Sequence, residues 1–364
     1  MVFYRYIKNR RCADLDFFEE QNHAEEQRGA VYHTGSGFFR PYVEPLWKKE
    51  KRMIRNSANG IGFASLAFVL LSLFSGVFLY LFVEVIYPAA NIHGNIYVTE
   101  TTEWAFTLLS YVLSLLLPFG IYALCLKMPI KVALPFKKAK TDLTVGGVFI
   151  ALGVSVLAAY LVSFLQIGLE YVGIGITMPE YEIPKTVPGL VFYFLSLAVA
   201  PAFVEEIICR GIIMQNLRRF GDIFALVISS IIFGILHMNL VQAPYAFVMG
   251  LAIGYFVMRT GSLWVGVIIH FINNSVASVF EVVFDGKPIE NYVFANDLYN
   301  LISIILAVIA IIYVLAKYKD MFRFEPSRTV LSSGKKIRYF FTAPGLILLL
   351  VVSILMTAQY VYFI

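Results

Sequence analysis

The sequence predicts an all-α fold, a polytopic transmembrane helix bundle of about nine spans with a cytoplasmic N-terminus. Three observations carry this expectation. Hydrophobic residues make up 59% of the 364 and charged residues only 15%, whereas a soluble domain is about a quarter charged. The apolar residues fall in runs long enough to cross a bilayer, which takes about 20 residues per helix. Lys and Arg gather at alternate ends of those runs, as cytoplasmic loops require.

The candidate spans are 61–87, 104–126, 145–173, 188–216, 222–243, 244–258, 262–283, 298–316 and 343–364. The sixth is short, and its join to the fifth near Pro244 suits a re-entrant or buried segment. Lys48, Lys49, Lys51, Arg52 and Arg55 precede the first span, and Lys127, Lys131, Lys137, Lys138 and Lys140 follow the second. Arg218 and Arg219 follow the fourth, Arg259 the sixth, and a basic stretch from Lys317 to Arg338 the eighth. On the opposite side only Lys185 and Lys287 break the pattern. Strict alternation puts the N-terminus inside and the C-terminus outside.

The net charge of +5 does not indicate a nucleic-acid partner. The basic residues flank apolar runs instead of forming a stripe that could track phosphates. Cys12, Cys125 and Cys209 are far apart and show no C-x-x-C spacing, so neither a disulfide framework nor a thiolate metal site is expected. About sixty polar residues precede the first apolar run, which does not fit a cleaved signal peptide. Within them, Asp14, Asp16, Glu19, Glu20, Glu25 and Glu26 form an acidic patch. Segment 1–60 reads as a polar cytoplasmic tail, with docking or membrane-surface binding as the alternative.

Ionisable side chains inside a membrane cost several kcal/mol and mark function by default. Three clusters stand out. In Glu205-Glu206-Ile207-Ile208-Cys209-Arg210, Glu206 and Arg210 are four apart and can pair on one helix face. Glu205 points about 100° away and lacks that partner. Glu205 is therefore assigned the chemistry of a general base, and the Glu206–Arg210 pair a structural role. Phe233 and His237 lie four apart, as do His270 and Asn274. Counting about 1.5 Å per residue from the cytoplasmic helix ends puts Glu205 roughly 17 Å deep, His237 roughly 22 Å and His270 roughly 12 Å. Those depths share one band, so the groups can meet. Each also has an ordinary reading: a His or Asn bonding a neighbouring helix, or a structural ion pair. Gly250-x-x-x-Gly254 reads as close helix packing.

The motifs Glu205-Glu206-x-x-x-Arg210, Phe233-x-x-x-His237 and His270-x-x-x-Asn274 resemble those of the CPBP family, the type II CAAX prenyl endopeptidases and bacteriocin-processing enzymes. All three occur in the family's order within about seventy residues. The resemblance covers about 188–284 and implies a catalytic core there, with accessory helices at 61–187 and C-terminal helices at 285–364 outside it. It implies an intramembrane endopeptidase acting on a peptide or protein, with a lipidated substrate among the candidates. Glu205 would activate water with help from His237, while His270 and Asn274 would bind the oxyanion or place the water. Glu205, His237 and His270 also resemble a zinc ligand set with an open position. The metal-free mechanism is preferred, because there is no H-E-x-x-H and Asn274 is a poor zinc ligand. The competing classes are a transporter or ion relay, and a non-catalytic scaffold that regulates a partner.

Overall fold

The computed structural model describes residues 44–86, 91–92, 95–96, 98–178, 181–321, 324 and 329–364. The acidic patch from Asp14 to Glu26, together with Cys12, His23 and His33, lies outside the described residues. The chain is an integral, multi-pass membrane protein and nearly all of its described part is helical.

The helices, in chain order, are α1 (Leu46–Leu73), α2 (Ser75–Ile86), α3 (Glu100–Cys125), α4 (Thr141–Tyr171), α5 (Val187–Phe220), α6 (Asp222–Leu236), α7 (Gln242–Thr260), α8 (Leu263–Phe284), α9 (Ile289–Lys317), α10 (Ser333–Phe341) and α11 (Pro344–Ala358). Six of them, α1, α3, α4, α5, α8 and α9, are long and apolar enough to cross a membrane. The pair α10 and α11, bent by 68°, makes a seventh if counted as one span.

The expected nine spans differ from this in four places. The fifth expected span, 222–243, is a helix of only 15 residues, about 22 Å long and too short for a hydrocarbon core of about 30 Å. The sixth, 244–258, is helix α7, which packs lengthwise against α6. Two glycines allow that contact: a Cβ on Gly250 would lie 3.0 Å from Ser230, and one on Gly254 would lie 2.8 Å from Leu226. The small-x-x-x-small spacing therefore does serve close packing. The first span begins at Leu46, so the expected boundary at 60/61 falls inside α1 and the basic cluster is helical. Helix α11 stops at Ala358. Val361–Phe363 (β2) instead pairs antiparallel with Ile174–Ile176 (β1), because a short apolar run rich in aromatic and β-branched residues suits a strand as well as a helix.

Helix starts follow local chemistry. Thr99 caps α3, its hydroxyl accepting from the Thr102 amide at 3.2 Å, with Glu100 and Glu103 in the positive first turn. Thr186 caps α5 by accepting from Gly189 at 3.3 Å, with Pro188 in the first turn where its missing N–H costs nothing. At the far end of α5, the buried Lys336 of α10 donates to the Phe220 carbonyl at 2.7 Å, a cation at a helix C-terminus.

Helix α5 is the centre of the bundle, packed by α3 and α8. Ile208, Ile213, Met214 and Leu217 along it are fully buried. It is not a uniform α-helix. Leu195–Val199 and Ile207–Ile213 are π-helical and enclose the α-helical stretch Ala200–Glu206. Such widened turns occur often at functional sites, and the two glutamates sit between them.

Candidate active site

Glu205 and Glu206 are neighbours in sequence but occupy different environments. Glu206 is completely buried. Its Oε1 lies 2.9 Å from Arg210 Nη1 and 3.0 Å from His270 Nδ1. Arg210, equally buried, also donates to the Gly250 carbonyl at 3.4 Å and lies 4.3 Å from the centre of the Phe233 ring, a cation–π contact. The close approach of α8 depends on Gly266, where a Cβ would lie 2.8 Å from Glu206 Oε2 and 2.7 Å from Val257. The expected Glu206–Arg210 pair is present, and His270 joins it.

Glu205 keeps 17% of its side chain accessible and lines a cavity of about 300 Å³. The Tyr111 hydroxyl of α3 donates to its Oε1 at 2.5 Å. His270 Nε2 lies 3.6 Å from its Oε2. His270 thus stands between the two carboxylates, one on each ring nitrogen. Taking about 30 Å³ per liquid water, the cavity has room for roughly ten waters or a short stretch of peptide.

His237 follows the last residue of α6, and its Nδ1 is 2.8 Å from the Phe233 carbonyl. The next residue, Met238, has a positive φ of 49°, which turns the chain sharply. Asn239 then accepts from the amides of Val241 (2.8 Å) and Gln242 (3.2 Å) and donates to the Thr177 carbonyl. This anchored turn holds the His237 ring against the cavity wall, edge-on to Phe233 with ring centres 5.0 Å apart.

Asn274 donates to the carbonyl of Leu197 at 3.1 Å, within the first π-helical stretch. Its Oδ1 accepts from Asn273 at 3.3 Å, and Asn273 in turn accepts from Tyr245 at 2.9 Å. Both asparagines line the cavity.

Glu205, His237, His270 and Asn274 therefore border one cavity, as the depth argument expects. Sequence reasoning missed Tyr111, Asn273 and Tyr245. Tyr111 looks like any tyrosine in an apolar run, and its partner is 94 residues away; nothing local singles it out.

The three residues that resemble a zinc ligand set, Glu205, His237 and His270, line the same cavity. Both ring nitrogens of His270 face carboxylates, and His237 Nδ1 bonds a backbone carbonyl while its Nε2 stays free among the described residues. Among the described residues, no group of three or more His, Cys, Asp or Glu side chains is arranged to hold a metal ion.

The comparisons with known proteins bear on this region. Residues 187–276 match the family model described as type II CAAX prenyl endopeptidase Rce1-like. This stretch is similar to that family. It holds all three motifs and begins one residue from the boundary expected on the motifs. The chain is also similar to the Bacillus subtilis (strain 168) protein named "Putative membrane peptidase YdiL", with 30% identity over 156 residues. That alignment takes in 39% of this chain and 61% of the relative, less than two thirds of its length. No solved structure matches. Tyr111 lies outside the Rce1-like stretch and reaches the site from α3.

Proposed function

We propose that the protein is an intramembrane endopeptidase that hydrolyses a peptide bond of a membrane-associated peptide or protein, with Glu205 as the base that activates water. One observation carries the choice of Glu205: of the two adjacent carboxylates, it alone reaches the cavity. Glu206 is enclosed by Arg210 and His270.

The reaction needs a better nucleophile and a stabilised oxyanion. Glu205 takes a proton from a cavity water while the water oxygen attacks the scissile carbonyl carbon. The tetrahedral intermediate carries its negative charge on the former carbonyl oxygen. The second amide hydrogen of Asn274 supports that charge, the first being used by the Leu197 carbonyl. His237 donates Nδ1–H to the Phe233 carbonyl, so its Nε2 is bare and accepts the other hydrogen of the attacking water, orienting it for Glu205. Collapse breaks the C–N bond, and the proton on Glu205 passes to the leaving amine. His270 suits a different task from the oxyanion role that the family pattern implies. With Glu206 accepting from Nδ1, the ring is fixed, and Nε2 faces Glu205 Oε2 at 3.6 Å, outside direct hydrogen-bond reach. His270 thus ties α8 to the buried ion pair beside the base, while the Tyr111 hydroxyl holds the base itself. No step runs through a metal.

The Rce1-like stretch supports a peptide substrate held at the membrane. A lipidated C-terminal peptide is one member of that class. The basic flanks of the spans support a cytoplasmic N-terminus.

Comparing the membrane peptides of cells that carry the wild type with those that carry Glu205→Gln tests the activity and identifies the substrate together. A cleavage product found only with the wild type is expected; identical profiles from an overexpressed, folded protein would sink the peptidase reading. Tyr111 offers a second test. A hydrogen bond to a charged group contributes about 1.5–3 kcal/mol, so Tyr111→Phe is expected to lower kcat by roughly 10- to 100-fold, with KM within about twofold. In a Glu205→Gln background the same change is expected to have no further effect. A purely packing role for Tyr111 would instead give additive losses.

A further inference from the structure

Helix α1 carries a feature that peptide hydrolysis does not use. Lys48, Lys51, Arg52 and Arg55 occur at i, i+3, i+4 and i+7 and so form one stripe along a single helix face. Like charges stacked this way destabilise a helix. Nearby acids relieve little of that repulsion. Glu44 pairs with Arg52 at 3.0 Å. Glu50 is turned aside, its Oε2 accepting from the amides of Val330 (2.9 Å) and Leu331 (3.0 Å). Lys51 lies over the Tyr339 ring at 4.9 Å and Lys48 over Trp47 at 5.6 Å. Half-buried Arg55 has no ion-pair partner among the described residues.

The stripe borders a groove of about 340 Å³, completed by Trp47, Asn56 and Asn59. That volume matches a phosphate-bearing headgroup with its substituent more closely than a bare ion. A tryptophan at the polar end of a span is the usual marker of the headgroup layer. Further along α1 the same face continues through Phe63 and Leu70, which are 53% and 55% exposed. One helix face therefore offers cations at its head and bare apolar side chains below.

We propose that this face binds an anionic phospholipid. Its phosphate sits among Lys48, Lys51 and Arg55, the asparagines donate to the headgroup, and an acyl chain lies along Phe63 and Leu70. A free phosphate shares the charge chemistry but not the apolar half of the face.

Full-length protein in neutral detergent is titrated with dioleoyl phosphatidylglycerol, dioleoyl phosphatidylcholine and inorganic phosphate, and native mass spectrometry counts the bound molecules. The phosphatidylglycerol adduct is expected to form at least about tenfold more tightly than the phosphatidylcholine adduct, one to two cations' worth of selectivity. Lys51→Gln combined with Arg55→Gln is expected to weaken it about thirty-fold. Arg55→Lys should retain it, and so should Lys185→Gln on a distant loop. Equal binding of the two lipids overturns the proposal without recourse to any variant. So does undiminished binding of phosphatidylglycerol by the double variant. Displacement of phosphatidylglycerol by inorganic phosphate at comparable concentration would make this a free-anion site and overturn the lipid assignment.

Discussion

Glu205→Gln is expected to reduce peptide cleavage at least about 1,000-fold while leaving folded protein and membrane yield unchanged. Positioned proton transfer contributes roughly 10²–10⁴-fold, and the amide can neither take the proton from water nor return it to the leaving amine. Stability should survive because glutamine still accepts from the Tyr111 hydroxyl, and the site is already partly accessible. Initial rates on the product-defined substrate, paired with size-exclusion profiles, measure both halves of the expectation. Retained cleavage would move the base to another group. Glu206 would then be the first candidate, although its carboxylate is fully enclosed.

Arg210→Met is expected to damage the fold before the chemistry. The side chain is 1% exposed and faces Glu206, which is 0% exposed. Removing one partner of a buried pair leaves the other charge uncompensated and costs about 3–5 kcal/mol, while replacing both is often close to neutral. The Glu206→Gln/Arg210→Met protein should therefore be more stable than Arg210→Met alone, which denaturant unfolding or the fraction that stays monodisperse after extraction would reveal. That recovery should be incomplete. Arg210 also bonds the Gly250 carbonyl and stacks on Phe233, and Glu206 accepts from His270. Equal stability of the single and double variants would mean that the ion pair contributes little to holding α5, α7 and α8 together.

Interactions four residues apart on one helix were legible in the sequence. The Glu206–Arg210 pair follows from helix geometry alone, as does the separation of Glu205 from it. The membrane class and the long helices were legible for the same reason, since apolar run length maps directly onto bilayer thickness. Contacts between helices were not legible. Nothing near His270 signals that it sits between two carboxylates on α5, and nothing near Tyr111 signals Glu205. Helix ends were hard to read where apolarity persists through a turn. The run from Ile223 to Met249 is interrupted only by short polar pieces, yet the chain reverses at Met238. The two resulting helices pack against each other, with Gly250 and Gly254 at the contact.

The two π-helical stretches of α5 place a constraint on how this chain can change over time. Substituting a residue leaves the number of residues before the glutamates intact. Deleting one codon from Leu195–Val199 does not: a π turn carries about one residue more than an α turn, so the loss would straighten this turn and withdraw the Leu197 carbonyl to which Asn274 donates. The spelling of this stretch can drift while its residue count stays fixed, and insertions or deletions should be tolerated in the loops long before they are tolerated here.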